Sequence, residues 1–336
     1  MLAVLTRELP EEDGWLFEPK WDGFRALVFW DGKSMLIQSR DLKPLDRYFP
    51  ELSEGLKKIL PEKIVLDGEI VIAGKDGLDF DALLLRIHPA ASRIAKLAAE
   101  IPASFVAFDL LAQGNKNMMD SSLQVRRKAL ERVASRFRPP VYLTPATTDL
   151  KQAREWFTRF EGAGLDGVVA KELKKPYAPG ERVMLKVKHQ RTIDCVVGGF
   201  RWYKDQKGKA VGSLLLGLYE RNTLHYVGHA SNFQTPERRK LVEILKPYRD
   251  PSGKQGFGKG RTPGGISRWT QGKDVDWERL RPKLVCEVAF DHLQGERFRH
   301  AASFLRWRPD KRPRECTFDQ IQSAVPYELE EIFSLR

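Results

Sequence analysis

Near residue 190 the chain passes from mixed strands and helices to short strands, and that switch divides its 336 residues into two domains. Before it, strand candidates lie at 15–19, 24–30, 34–39, 64–73, 104–111 and 166–171, rich in β-branched and aromatic residues and bounded by Gly, Asp and Pro. Helix candidates lie at 50–60, 79–99, 121–135 and 149–162, with apolar residues three and four apart and Asp149 able to cap the last. Several strands follow one another without a helix between them, which predicts an α+β domain with antiparallel sheets over 1–190. Beyond the switch, strands are expected at 193–202, 211–220, 223–229, 284–292 and 302–308. One helix is expected at 235–246, opened by Thr235 and Pro236. Five short strands and one helix fit a Greek-key β-barrel of the OB-fold type over 191–336.

Charge is divided unevenly too. The net charge is +12, of which residues 1–190 carry +3 and residues 191–336 carry +9. A basic second half fits a polyanion such as nucleic acid, and fits a merely basic soluble surface as well. No apolar run is long enough to cross a membrane, and the N-terminal apolar stretch turns acidic too soon for a signal peptide. A soluble, intracellular protein is expected, and nothing requires more than a monomer. Cys195, Cys286 and Cys316 form no CxxC pair and read as reduced, buried thiols. His225 and His229 lack a third ligand nearby and read as ordinary strand residues. Residues 250–275 form a basic, glycine-rich loop. Gly253, Gly258 and Lys259 have the P-loop spacing there, but Gly260 stands where Ser or Thr should bind magnesium, so a P-loop is rejected.

The stretch LFEPKWDGFRALVFW places Lys20 at the end of a strand, with Asp22, Gly23 and Arg25 close behind. A lysine attacks only as the neutral amine, and its free pKa is about 10.4. Apolar neighbours such as Trp15, Phe17, Trp21 and Phe24, or a nearby cation, would help free the lone pair. A surface hairpin with ordinary charges explains the stretch equally well when it is taken alone. Four other stretches change that. Ser39 and Arg40 end a strand. VLDGEIVI sets Asp67 and Glu69 on one strand face. GLDGVVAK runs from Asp166 to Lys171. MLKVKH sets Lys186 and Lys188 on one face. Together they offer a nucleophilic lysine, carboxylates for a hard divalent cation and a lysine pair for a phosphate, the inventory for attack on a nucleotide α-phosphate.

KWDGFR resembles motif I of the covalent nucleotidyltransferases, which comprise DNA ligases, RNA ligases and mRNA capping enzymes. SRD, LDGEIVI, FVAFDLL, DGVVAK and LKVKH resemble the following motifs in order, and RHAASFLRWRPDK resembles the sixth, on the OB domain. LRIHPAASR, IPASFVAFDLLA, GGISRW and FLRWRPDK look like the bacterial ATP-dependent DNA ligases of the LigC and LigD end-joining type. The resemblance spans nearly the whole chain. It implies an ATP-grasp-like nucleotidyltransferase domain followed by the OB-fold.

The resemblance also implies roles. Lys20 would carry AMP as a phosphoramidate. Glu18 would lie at the adenine edge, and Phe108 would stack on the base. Arg25 and Glu69 would contact the ribose region, and Arg40 would hold the 5′-phosphate of a nick. Asp166, with Glu69, would bind metal; many relatives have Glu at the position of Asp166. Lys186 and Lys188 would hold the α-phosphate, and Arg308, Asp310 and Lys311 would orient pyrophosphate. The implied cofactors are ATP and Mg²⁺, with Mn²⁺ as the alternative. The implied partner is nicked double-stranded DNA, with a Ku-like end-binding protein as a candidate. RNA ligase or capping-type chemistry, or a non-catalytic OB-fold nucleic-acid binder, remain the alternative readings.

Overall fold

Strand Trp15–Pro19 and strand Phe24–Trp30 are not a hairpin; they lie in different sheets. The computed structural model describes every residue except 62, 76, 190, 254, 259–262, 264–275, 292, 322–328 and 335–336. The chain forms two units, Met1–His189 with Ser323–Arg336, and Gln190–Gln322. A division at 190 alone does not describe this, because the C-terminal residues group with the first unit.

In the first unit a four-stranded sheet runs in the order Leu2–Thr6, Arg182–Lys188, Gly167–Glu172, Trp15–Pro19. The main path of a six-stranded sheet runs Val141–Leu143, Ser104–Gln113, Ile64–Val71, Phe24–Trp30, Met35–Ser39. Pairing is antiparallel except at one edge of each, where Leu2–Thr6 and Val141–Leu143 pair parallel with their neighbours. Residues Lys20–Gly23 are the crossing between the sheets. The larger sheet packs its inner face, with Val28, Leu66, Ile70 and Leu110, against helices Pro50–Ile59 and Leu123–Ala134.

The expected helix over 79–99 is two helices, Phe80–Leu85 and Ala91–Glu100. Pro89 between them has no N–H to donate and cannot continue the first. Asp79 starts that helix by accepting from Ala82 N–H at 2.8 Å. Asp149 caps Leu150–Arg159 as expected, accepting from Lys151 N–H at 2.8 Å. The helix Thr235–Leu245 takes Gln234, not Thr235, as its cap residue; Glu237 Oε2 accepts from Gln234 N–H at 2.6 Å.

One buried ion pair ties the larger sheet to its covering helix. Arg126 reaches Asp109 with two hydrogen bonds, at 2.8 and 3.0 Å, and both residues are almost wholly buried. Replacing only one partner strands a charge in the core. Asp109→Ala is therefore expected to cost about 3–5 kcal/mol, read from denaturant unfolding. A loss under about 1 kcal/mol, the range of exposed pairs, would show that solvent reaches the pair.

The second unit is built on the long strand Arg191–Trp202. Its sheet runs Thr223–Ala230, Val211–Glu220, Arg191–Trp202, Val285–Phe290, Ser303–Trp307, with Glu278–Arg279 also paired to the long strand. A single parallel bridge, Ala230 to Ala302, links the two outer edges, an OB-like arrangement. Cys195 and Cys286 face each other across neighbouring strands, and all three cysteines are buried and free. His225 and His229 lie on one strand, and no group of metal-binding side chains occurs among the described residues. Most of the basic loop at 250–275, with Lys259 and Gly260, lies outside the described residues. No described helix is long and apolar enough to cross a membrane.

Candidate active site

Three neighbouring strands gather the chemistry. Gly167–Glu172 pairs antiparallel with Arg182–Lys188 on one side and with Trp15–Pro19 on the other. Lys20 follows the last of these directly. Its N–H donates to Gly167 O at 2.9 Å, and its carbonyl accepts from Asp166 N–H at 2.9 Å. The main chain thus fixes where Lys20 starts. Its Nζ is ion-paired with Asp166 Oδ2, and Lys188 Nζ meets the same oxygen at 2.7 Å. Asp166 is 4% exposed, so the two ammonium groups must compensate its lost hydration.

Two glycines make this closeness possible. Gly167 has φ +132°, and a Cβ there would fall 2.0 Å from Val187 O on the strand that carries Lys186 and Lys188. At Gly23 a Cβ would fall 2.1 Å from Ile70 O, so the crossing lies directly on the strand that carries Glu69. Lys186 shares a strand face with Lys188. Burial, then Lys188 and Lys20, hold its ammonium below the ordinary lysine range, with Asp166 pulling the other way.

Glu69 sits opposite Arg25 in the sheet. Burial pushes its carboxyl up to about 8, against the pull of Lys20 and Arg25. The folded state therefore holds this proton more tightly than the unfolded chain. Stability from Glu69 is present at low pH and is lost as pH rises from about 4.5 through about 8. Glu69→Gln removes that loss. The melting temperature of the variant is expected to rise relative to the parent between pH 5 and pH 8.5 in metal-free buffer; a constant difference would contradict the assigned burial.

A second cluster lies beside the first. Glu18, 3% exposed, is held by Lys171 Nζ at 2.6 Å and by Arg127 Nη1 at 3.5 Å. The Lys171 ammonium also lies over the Phe108 ring, 4.5 Å from its centre, with the Arg25 guanidinium 5.7 Å from it. Arg25 is turned to Asp67, through two bonds of 3.0 and 2.7 Å, and its Nη1 donates to Met1 O. Arg40 stands apart on an exposed turn, 3.5 Å from Asp41. Arg308, Asp310 and Lys311 belong to the second unit. There Arg308 bonds both Asp194, at 2.9 Å, and Asp310, at 2.7 Å, and Lys311 lies 3.9 Å from Asp194. Hydrogen bonds from Arg308 hold the Asp310 carboxyl down at about 2.

The donor set around Lys20 suits magnesium. It includes Asp166, which is ion-paired with Lys20, and Glu69, and no group of three or more His, Cys, Asp or Glu side chains placed to hold a metal occurs among the described residues. Magnesium keeps several waters and takes one or two carboxylates together with substrate phosphates.

The family model described as ATP dependent DNA ligase domain matches residues 1–188, and that for the ATP dependent DNA ligase C terminal region matches 207–311. The chain is 47% identical to DNA ligase C1 of Mycolicibacterium smegmatis, over 99% of this chain and 96% of that protein. This chain belongs to the ATP-dependent DNA ligases, of the LigC/LigD type. The ligase is also 30% identical to the multifunctional non-homologous end joining protein LigD of Mycobacterium bovis, over 90% of this chain but 37% of that larger protein. A solved Lig E DNA ligase superposes with a TM-score of 0.56 at 19% identity, covering 91% of this chain and 98% of that one, and shows the shared fold.

Three residues of these clusters are not among the site residues expected from the sequence: Lys171, Arg127 and Asp194. Lys171 ends an apolar strand and reads as a strand-end charge, yet it is a diagonal neighbour of Glu18 across the sheet. Arg127 lies four residues after Leu123 and three before Leu130, on the apolar stripe of its helix, so its burial was discoverable from spacing. Asp194 carries no such signal, because its partners Arg308 and Lys311 lie more than a hundred residues away.

Proposed function

We propose that this ligase seals nicks in duplex DNA through a lysyl-AMP intermediate on Lys20. The observation that carries the reading is the meeting of Lys20, Asp166, Lys186, Lys188 and Glu69 around one crossing between two sheets. Lys20 Nζ attacks the ATP α-phosphorus, an N–P bond forms, the P–O bond to pyrophosphate breaks, and the amine's proton leaves to solvent. An oxygen of the nick's 5′-phosphate then attacks the same phosphorus. The N–P bond breaks and Lys20 regains a proton. Finally the 3′-hydroxyl attacks the activated 5′-phosphate, AMP departs and the strand is joined. Splitting the coupling this way replaces one difficult step with easier ones.

Lys186 and Lys188 hold the α-phosphate charge, while Glu18 and Lys171 meet the adenine edge beside Phe108. Asp166 and Glu69 would hold Mg²⁺, or Mn²⁺ in its place, and the ion would neutralise phosphate charge. Arg40 grips the 5′-phosphate, Arg25 orders the ribose wall through Asp67, and Arg308, Asp310 and Lys311 orient pyrophosphate. The name of the LigD relative supports a role in end joining, with a Ku-like end-binding protein as the partner to test.

The test incubates protein stripped with pyrophosphate with ATP labelled at the α-phosphate and Mg²⁺, and then with nicked duplex. Acid-labile label on the protein from ATP but not GTP, followed by a sealed strand, is expected. Label from GTP, or no label, would overturn the reading.

A further inference from the structure

We propose that Phe333, near the end of the chain, is a positioning residue for Lys20, acting through Trp21. The inference rests on Lys20 being the nucleophile and adds an element that lies beyond both family-model matches, 1–188 and 207–311.

Phe333 is carried on the short helix Leu329–Ser334, which groups with the first unit. Leu329 and Ile332 are buried in one apolar cluster with Trp21, Val71, Val106 and Trp156. The Phe333 ring lies between two others. It stacks on Tyr142 at 4.1 Å and 16°, and on Trp21 at 5.5 Å and 4°. Trp21 is 6% exposed, and its indole N–H donates to Thr144 Oγ1 at 2.9 Å. The indole is therefore fixed both by its face and by its edge.

Trp21 is joined to Lys20 by one peptide bond. The carbonyl of that peptide accepts from Asp166 N–H, the same residue whose carboxylate meets the Lys20 ammonium. A displacement of the packed indole that side-chain rotation does not absorb shifts this peptide, and with it the origin of the Lys20 side chain. The clamp reaches the other flank as well. Thr144 O accepts from Arg127 Nη2 at 2.9 Å, and Arg127 approaches Glu18, two residues before Lys20. Phe333 thus presses on a set of contacts that holds both sides of the nucleophile.

Magnitudes separate positioning from plain packing. The two ring contacts are a small part of this unit's apolar core, so their loss should lower the melting temperature by only a few degrees. A displacement of a reacting atom by about 1 Å, in contrast, can slow the chemistry about a hundredfold.

The experiment uses the full chain, stripped of AMP, and follows single-turnover transfer of label from α-labelled ATP. Phe333→Leu keeps the apolar anchor and removes the ring; Phe333→Tyr keeps the ring. Phe333→Leu is expected to transfer label at least about tenfold more slowly at saturating ATP, with the half-saturating ATP concentration unchanged to within about twofold. Phe333→Tyr is expected to restore the rate. An unchanged rate in Phe333→Leu, a defect confined to half-saturating ATP, a loss that tracks the unfolded fraction seen by circular dichroism, or a Phe333→Tyr as slow as Phe333→Leu would each overturn the proposal. An unlabelled parent protein would overturn the lysyl-AMP reading itself, and this proposal with it.

Discussion

Lys20→Ala is expected to abolish transfer of AMP to the protein, a loss of more than about a thousandfold, because it removes the proposed nucleophile. Joining of a nick supplied already adenylylated should survive, since Lys20 does not react in that last step. The structure gives a reason to expect a clean separation. Lys20 is placed by its own N–H and C=O, bonded to Gly167 O and Asp166 N–H, and neither bond needs the side chain. The comparison is a gel assay of protein label beside a sealing assay on adenylylated DNA. Label persisting in Lys20→Ala would move the nucleophile to Lys186 or Lys188 and defeat the assignment.

Asp166→Asn should be nearly as damaging, at about a hundredfold in label transfer, and for a different reason. Asp166 is the acid that both Lys20 and Lys188 contact, and it is the group that raises Lys186 toward its ordinary range. Without it three ammonium groups face one another; two such charges 4 Å apart repel by about 4 kcal/mol at an effective dielectric constant of 20. Lys186, already held low, falls further and sheds its proton more readily as pH rises. Its grip on the α-phosphate weakens accordingly. The deficit of Asp166→Asn relative to the parent is therefore expected to widen from pH 7 to pH 9. A deficit that narrowed over that range would mean that relief of the lysine nucleophile outweighs loss of the phosphate grip.

Strand and helix positions were legible wherever local pattern decides them. The strand holding Glu69, the strand holding Lys171 and the cap at Asp149 all stand where local pattern or capping put them. What stayed hidden depends on sequence-distant partners. The apolar run at Leu2–Thr6 becomes a strand only because Arg182–Lys188 lies beside it. Helix periodicity ran through Pro89 because apolar residues on both sides keep the same spacing. At the site, Lys20, Asp166 and the lysine pair were legible as residue types. Their convergence was not, for it depends on Gly167 and Gly23 letting strands approach where any side chain would collide. Arg25 was legible as a cation of the site, but its bonds to Asp67 and Met1 O were not, because both partners lie far from it in sequence.

The grouping of Ser323–Arg336 with the first unit makes the second unit an insertion. Its chain is joined to the catalytic unit before it begins and again after it ends, where Leu329 and Ile332 are buried. Cutting the backbone near residue 190 with a protease would then leave two fragments that stay together without a covalent link, held by the terminal helix. They should co-elute on gel filtration in native buffer and separate only once denaturant extracts that helix. A circularly permuted gene opened near residue 190 would lose that connection and join the two units only once, after residue 322.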